Sequence, residues 1–158
     1  MPTIRPARPA DFDALAAMRH ALWPDGSFEH HRRELDEIHE GQWAHLFPYV
    51  VLVAEEDGRL IGFADVTLRS RVDGCDPKQP VGFFEGWYVA AEHRRRGVGA
   101  ALLRAAEEWA RAQGCTEMGS DTWADNEVSQ RAHEALGFEI VDRVVNYRKS
   151  LGESGRDG

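Results

Sequence analysis

The chain has 158 residues, 42% of them hydrophobic and 29% charged, and its 27 acidic against 19 basic side chains give a formal net charge of −8. That length supports one domain with a hydrophobic core and leaves too little for two, and the composition excludes a disordered or fibrous chain. The acidic balance argues against nucleic acid and anionic lipid as partners and favours cationic small molecules or peptides.

No apolar run approaches the ~20 residues of a membrane span, and the opening MPTIRPARPADFD has no signal-peptide core, so the expected compartment is the cytoplasm. Cys75 and Cys115 lie 40 residues apart with no CxxC pair, which gives neither a disulfide framework nor a zinc site. Both are expected to be reduced and structural. The scattered histidines form no ligand constellation, so no metal is expected.

A short strand is expected around Thr3 to Arg5, then a helix capped by Asp11 whose apolar positions Phe12, Leu15, Ala16 and Met18 recur near the 3.6 period. The LWP at Leu22 to Pro24 ends it. Residues 28–46 read as a charged helix and loop anchored by Phe28, Leu35, Ile38 and Trp43. Tyr49 to Glu55 and Leu60 to Arg69 are strand patterns joined through Asp57-Gly58, a strong hairpin signal.

Val81 to Val89 (VGFFEGWYV) is a third such strand, and Gly97 opens a long helix with Val98, Leu102, Ala106 and Trp109 as its buried stripe and Gly114 as its stop. Cys115 to Ser120 reads as a strand, Asn126 to Leu136 as a helix ended by Gly137, and Phe138 to Arg148 as one or two closing strands. The order predicts an α/β (α+β) fold with a mixed, mostly antiparallel central sheet flanked by helices. Residues 1–149 form one domain in this reading, and residues 150–158 a flexible tail.

The segment EHRRRGVGAAL (residues 92–102) sets Arg94, Arg95 and Arg96 against Gly97-Val98-Gly99-Ala100 between a strand and a helix. Helix N-termini carry unpaired N–H groups and the positive end of the macrodipole, glycines let a phosphate approach the backbone, and arginines add charge-assisted hydrogen bonds. On these residues alone a phosphate cradle and a solvated basic helix entry both stand. No GK[ST] follows, which excludes a Walker loop, and the sheet does not begin with this unit, as a dinucleotide fingerprint requires.

Arg94, Gly97 and Gly99 match the [RQ]-x-x-G-x-[GA] signature of the GNAT superfamily of acetyl-coenzyme A dependent N-acetyltransferases, which the chain resembles from Ile4 to Lys149. Within it, LWP, Gly74-Cys75, FFEGWYV, RRGVG, EMGSDT, SQ-x-x-H-x-ALGF and RVVNYRK look most like the aminoglycoside 6'-N-acetyltransferases. The resemblance implies a sheet splayed between its fourth and fifth strands, with acetyl-CoA in the gap. It puts the coenzyme A pyrophosphate on residues 94–100, the pantetheine arm on the backbone of Trp87, Tyr88 and Val89, and a further coenzyme contact on Asn126.

Acetyl transfer to an amine needs a group that takes the amine's proton and one that protonates the thiolate. Glu85 is an ionisable residue in an apolar strand, costly to bury unless paired or functional. Parity puts it on one sheet face with Trp87 and Val89. Asp121 ends the next strand. Together they are candidates for holding an ammonium and drawing off its proton, with a structural ion pair for Glu85 and a turn role for Asp121 as the alternatives.

Many family members carry a tyrosine as the thiolate's acid where this chain has His133, and a histidine can fill that role or serve only structurally. The resemblance adds Trp23 and Asp142 to the acceptor site. Two positions depart from it: Asp25-Gly26 stands where a histidine follows LWP, and Arg71 where a tyrosine precedes Gly-Cys. An arginine facing a polycation is unfavourable unless it turns away or pairs with Asp73 or Asp76.

The reading is therefore an acetyl-CoA dependent transferase acting on a cationic amine, an aminoglycoside first, without an acyl-enzyme. Another amine (a polyamine, an amino acid or a protein N-terminus) and a non-catalytic CoA-binding module are the alternatives. The resemblance also implies a homodimer built through the C-terminal strands.

Overall fold

In the computed structural model, which describes residues 1–42 and 48–152, strand β1 (Thr3–Pro6) leads through a 3-10 turn to helices α1 (Phe12–Leu22) and α2 (Phe28–His39). The antiparallel hairpin of β2 (Tyr49–Glu56) and β3 (Arg59–Arg69) follows, then β4 (Val81–Val89), α3 (Val98–Ala112), β5 (Met118–Ser120) and α4 (Glu127–Ala135). Trp43 lies outside the described residues. The hairpin turns on Asp57 and Gly58, whose φ values of 51° and 74° are those of a type I′ turn and explain the Asp-Gly pair.

The strands stand in the order β1-β2-β3-β4-β5, antiparallel except that β5 runs parallel to β4 after the crossover through α3. Each face of the sheet has its own core. Leu52, Ala64, Val66 and Phe84 meet Val98, Leu102 and Ala106 of α3 on one side, and Val51, Val53 and Phe63 meet Phe12, Leu15 and Leu35 of α1 and α2 on the other. No helix among the described residues is long and apolar enough to cross a membrane.

Several sequence expectations need correction. Asp11 does not cap α1 with its side chain. Its carboxylate accepts from the Arg8 backbone N–H at 2.7 Å and from both Arg5 Nη atoms at 2.7 and 3.0 Å, closing the 3-10 turn instead. On α1 the core-facing stripe is Phe12, Leu15, Ala16 and Arg19, at i, i+3, i+4 and i+7, while Met18 is only half-buried. Phe28 is exposed and only Leu35 of the α2 anchors is fully buried.

No strand forms after β5 among the described residues. Phe138 stacks on Phe84 at 6.4 Å between ring centroids, but the chain beyond it makes no ladder with the outer edge of β5 or with any other strand, and residues 139–151 are exposed. Without a ladder to another strand the expected closing strands do not form in the single chain.

The Arg5 hydrogen bonds, opposed by burial, hold the Asp11 carboxyl below the ordinary carboxylate range. A carboxyl depressed in the folded state adds stability above its unfolded value and loses it as the pH falls through the folded one. Asp11→Asn is expected to cost about 1–3 kcal/mol at neutral pH. Chemical denaturation in acid should find wild type and variant converging; a gap independent of pH would contradict the assignment.

Candidate active site

Strand β4 carries two irregularities that build the site. Phe84 pairs with Val66 and Gly86 with Asp65, so Glu85 is an extra residue without a partner across β3, a β-bulge. The bulge corrects the parity argument. Phe84 before it, and Trp87 and Val89 after it, all join the α3 core, whereas Glu85 lies beside Thr67 and Arg69 on the α1–α2 side. Gly86 is required there, since a Cβ would come within 2.5 Å of the Trp23 ring.

The second irregularity is the splay. β5 pairs with β4 only at Gly82–Met118, Phe83–Gly119 and Phe84–Ser120. Beyond Phe84 the edge of β4 facing β5 has no ladder, which opens the backbone of that edge from Glu85 to Tyr88 to a ligand.

At the apex, Ser120 Oγ lies 2.8 Å from the Phe84 carbonyl and 2.8 Å from His133 Nε2. His133 Nδ1 is 2.7 Å from the Ser129 carbonyl, so it carries a proton and donates. The ring stands edge-on to Trp87 at 4.7 Å between centroids. His133 Nε2 thus faces Ser120 where the strands part.

Past the end of β4, Gly97 has φ +80° at the entry to α3, a conformation suited to glycine, and Ala101 makes the first helical bond, to the Gly97 carbonyl. The Val98, Gly99 and Ala100 N–H groups precede that bond. A Cβ on Gly97 would meet nothing within 4 Å, so the approach is open. The donors suit a pyrophosphate.

The three arginines differ. Arg95 is exposed, and Arg96 leans 3.7 Å from Glu56. Arg94 turns back, donating Nε to the Val89 carbonyl at 2.8 Å beside the Tyr88 ring, and so ties the loop to β4 rather than extending toward an anion. Asn126 caps α4 by accepting from the Ser129 N–H at 3.1 Å.

On the α1–α2 face an open cavity of about 670 Å³ brings Trp23 and Glu85 together with Glu34, Asp65 and Arg69. Asp121 and Asp142 do not line it: both are exposed, Asp121 directly after the apex residue Ser120 and Asp142 on the extended C-terminal segment. Arg71 is exposed, lies outside the cavity and pairs with neither Asp73 nor Asp76 among the described residues. The arginine that lines the cavity is Arg69. Gly26, at the place where a histidine was expected after LWP, lines the cavity beside His30 and His31 of α2, and His31 Nε2 lies 3.0 Å from the Trp23 carbonyl.

Arg19, also unforeseen, is 2% exposed and bonds Asp65, itself 1% exposed, beneath the cavity, with the Tyr49 hydroxyl donating to Asp65 at 2.8 Å. Burial pushes the Asp65 carboxyl up against the opposing pull of Arg19 and Tyr49. An acidic residue inside the apolar run LIGFADVTL is the same signal that singled out Glu85 and points to Asp65 as well. Among the described residues no cluster of three His, Cys, Asp or Glu side chains stands ready for a metal ion.

The same architecture recurs among known proteins. A profile of the Acetyltransferase (GNAT) family matches residues 15–138. An aminoglycoside N(6')-acetyltransferase type 1 of Klebsiella aerogenes is 44% identical over 151 residues, 95% of this chain and 97% of that protein. Its namesake in Serratia marcescens is 46% identical over 143 residues, 90% and 94% of the two chains. The structure of AAC(6')-Iy in complex with the bisubstrate analog CoA-S-monomethyl-acetylneamine superposes with a TM-score of 0.84 at 37% identity, over 95% of this chain and 99% of that one. AAC(6')-Ih from Acinetobacter baumannii gives 0.83 at 32% identity, over 96% and 100%. With the splayed strands, the bulge and the glycine-led helix entry in place, the chain belongs to the GNAT acetyltransferase family.

Proposed function

We propose that the protein transfers the acetyl group of acetyl-CoA to the 6'-amine of aminoglycosides, directly between two bound substrates. The observation that carries this reading is the bulge at Glu85, which divides β4 between an anion-binding side and a carboxylate-lined cavity on the opposite face. The relatives' names and the bisubstrate complex of AAC(6')-Iy support the choice of acceptor.

Bound acetyl-CoA supplies the acetyl thioester. The N–H groups of Val98, Gly99 and Ala100 hold its pyrophosphate, with Arg95 and Arg96 adding charge. The unladdered edge of Trp87, Tyr88 and Val89 orients the pantetheine arm and polarises the carbonyl. Arg94 acts by fixing the loop, and Asn126 by starting α4 so that His133 reaches the splay. Trp23 offers an aromatic face to a sugar ring, and Glu85 holds an ammonium group. Asp121 and Asp142 add negative charge around the acceptor, Glu85 or Asp121 takes the amine's proton through water, and His133 returns one to the thiolate. No thiol serves as nucleophile: burial pushes both Cys75 and Cys115 up, away from the reactive thiolate.

We further propose a cytoplasmic homodimer, with residues 1–149 as the domain and the C-terminal segment as its interface. Ile140, Val141, Val144, Val145 and Tyr147 are 53–93% exposed in the single chain, an apolar load that a second copy would cover.

Three experiments test these assignments. Thiol release from acetyl-CoA should saturate with kanamycin or tobramycin; release with other amines alone would overturn the substrate, and acetyl-CoA binding without release would make the protein a CoA-binding module. Gly97→Glu sets a carboxylate against the pyrophosphate and strains a left-handed backbone by roughly 1–2 kcal/mol. Calorimetry should find acetyl-CoA binding lost, and an unchanged affinity would remove the cradle from the site. Sedimentation should show a dimer that Val145→Asp converts to monomer, whereas a monomeric wild type would refute the interface.

A further inference from the structure

Glu85, the acceptor-side carboxylate of the proposed reaction, already has a cation. Arg69, the last residue of β3, approaches Glu85 Oε1 with Nε at 3.2 Å and Nη2 at 3.0 Å, and Oε2 with Nη2 at 2.9 Å. Its guanidinium lies 3.5 Å from the Phe83 ring centroid. We propose that Arg69 is an internal competitor for the acceptor: its guanidinium occupies the place of an acceptor ammonium, and productive binding exchanges one cation for the other on Glu85. This rests on the reading above that amines bind in this cavity.

Three observations favour exchange over a fixed structural pair. Glu85 does not need Arg69 to stay in place, because the buried Thr67 donates its hydroxyl to Oε1 at 2.6 Å from a central position of β3. The Arg69 side chain is 43% exposed against 24% for Glu85, so it can swing into water from the strand end, giving up its contact with the Phe83 ring. By contrast Arg19, the other guanidinium of the cavity, is buried on Asp65 and fixed.

The charge balance gives the exchange a consequence. Glu34, Asp65 and Glu85 face Arg19 and Arg69, a net charge of −1 with the histidines neutral. Trading a guanidinium for an ammonium on one carboxylate replaces one charge-assisted bond by another and yields little net affinity. An acceptor must therefore bring further cations or hydroxyls to the rest of the cavity, as a multiply charged amino sugar does and a simple monoamine does not. Arg69 sets that threshold. It acts on acceptor binding, so it should alter the acceptor KM and leave the acetyl-CoA side untouched.

The test compares wild type, Arg69→Gln, Arg69→Ala, Arg69→Lys, Glu85→Gln and the Glu85→Gln/Arg69→Gln double variant. Kinetics by thiol release with kanamycin, and kanamycin affinity by calorimetry on the CoA-bound protein, are the readouts. Removing a half-exposed competitor should lower the kanamycin KM and Kd about three- to fivefold in the Gln and Ala variants. Arg69→Lys, which keeps the charge, should stay near wild type, and the gain should vanish on the Glu85→Gln background. Acetyl-CoA KM should hold throughout, reporting an intact fold.

An unchanged or raised kanamycin KM in folded Arg69→Gln or Arg69→Ala, with active wild type, would make Arg69 a buttress of Glu85 and overturn the proposal alone. Should wild type ignore kanamycin but turn over another amine, the substrate assignment fails and that amine replaces kanamycin in the series. If no amine binds or reacts, both readings fall.

Discussion

The extra residue that Glu85 inserts into β4 reverses which face of the sheet every later side chain of the strand meets. Without it, alternation would send Trp87 and Val89 toward α1 and α2 and place Tyr88 under α3. With it, the indole ring of Trp87 joins Phe84 and His133 at the splay, and the carboxylate of Glu85 opens on the opposite side. One strand therefore serves both faces of the sheet within a few residues. The bend that a bulge imposes also lies where β4 and β5 stop pairing, right after Phe84 and Ser120.

The charges are arranged around that division. At the glycine-led entry to α3 the anion-binding capacity comes chiefly from backbone N–H groups, since Arg94 is spent on Val89 and Arg96 leans toward Glu56. On the other face, carboxylates and guanidiniums alternate through the cavity and are already paired with one another. A cleft of this kind stays stable without its ligand. Its cost is that a cationic acceptor meets occupied carboxylates.

Much of the framework was legible in the residues. The Asp-Gly hairpin, the span of β4, Val98, Leu102 and Ala106 of the α3 stripe and the glycines ending α3 and α4 depend on local periodicity and turn chemistry, and they stand where those rules put them, whereas Trp109 is only half-buried and Ala110 closes the stripe in its place. Three things were not legible, each for a physical reason. A bulge leaves no mark in a two-residue period, so Trp87 and Val89 were grouped on the face of Glu85 although they pack under α3. Pairing between distant residues has no local signature, so nothing in the sequence marked Arg19 of α1 as the partner of Asp65 across the core, or Arg69 as the partner of Glu85. A strand needs a neighbour as well as a pattern, so the alternating apolar residues after Phe138 looked like sheet yet form no ladder within a single chain. The resemblance had already placed Trp23 and His133 near the site, and the geometry adds Ser120, Thr67 and Arg69 to them.

The pair of Arg19 and Asp65 joins α1 to the middle of β3 and has almost no exposure. Loss of either partner alone strands a charge in the core, whereas replacing both by apolar groups of similar size removes the penalty with the charges. Among descendants of this sequence the two positions should accordingly vary together or not at all, giving them a correlated record of change unlike that of the exposed positions around them. The first step of such a double replacement is the costly one, and it holds the floor of the cavity to its present chemistry while the rim above it stays free to drift.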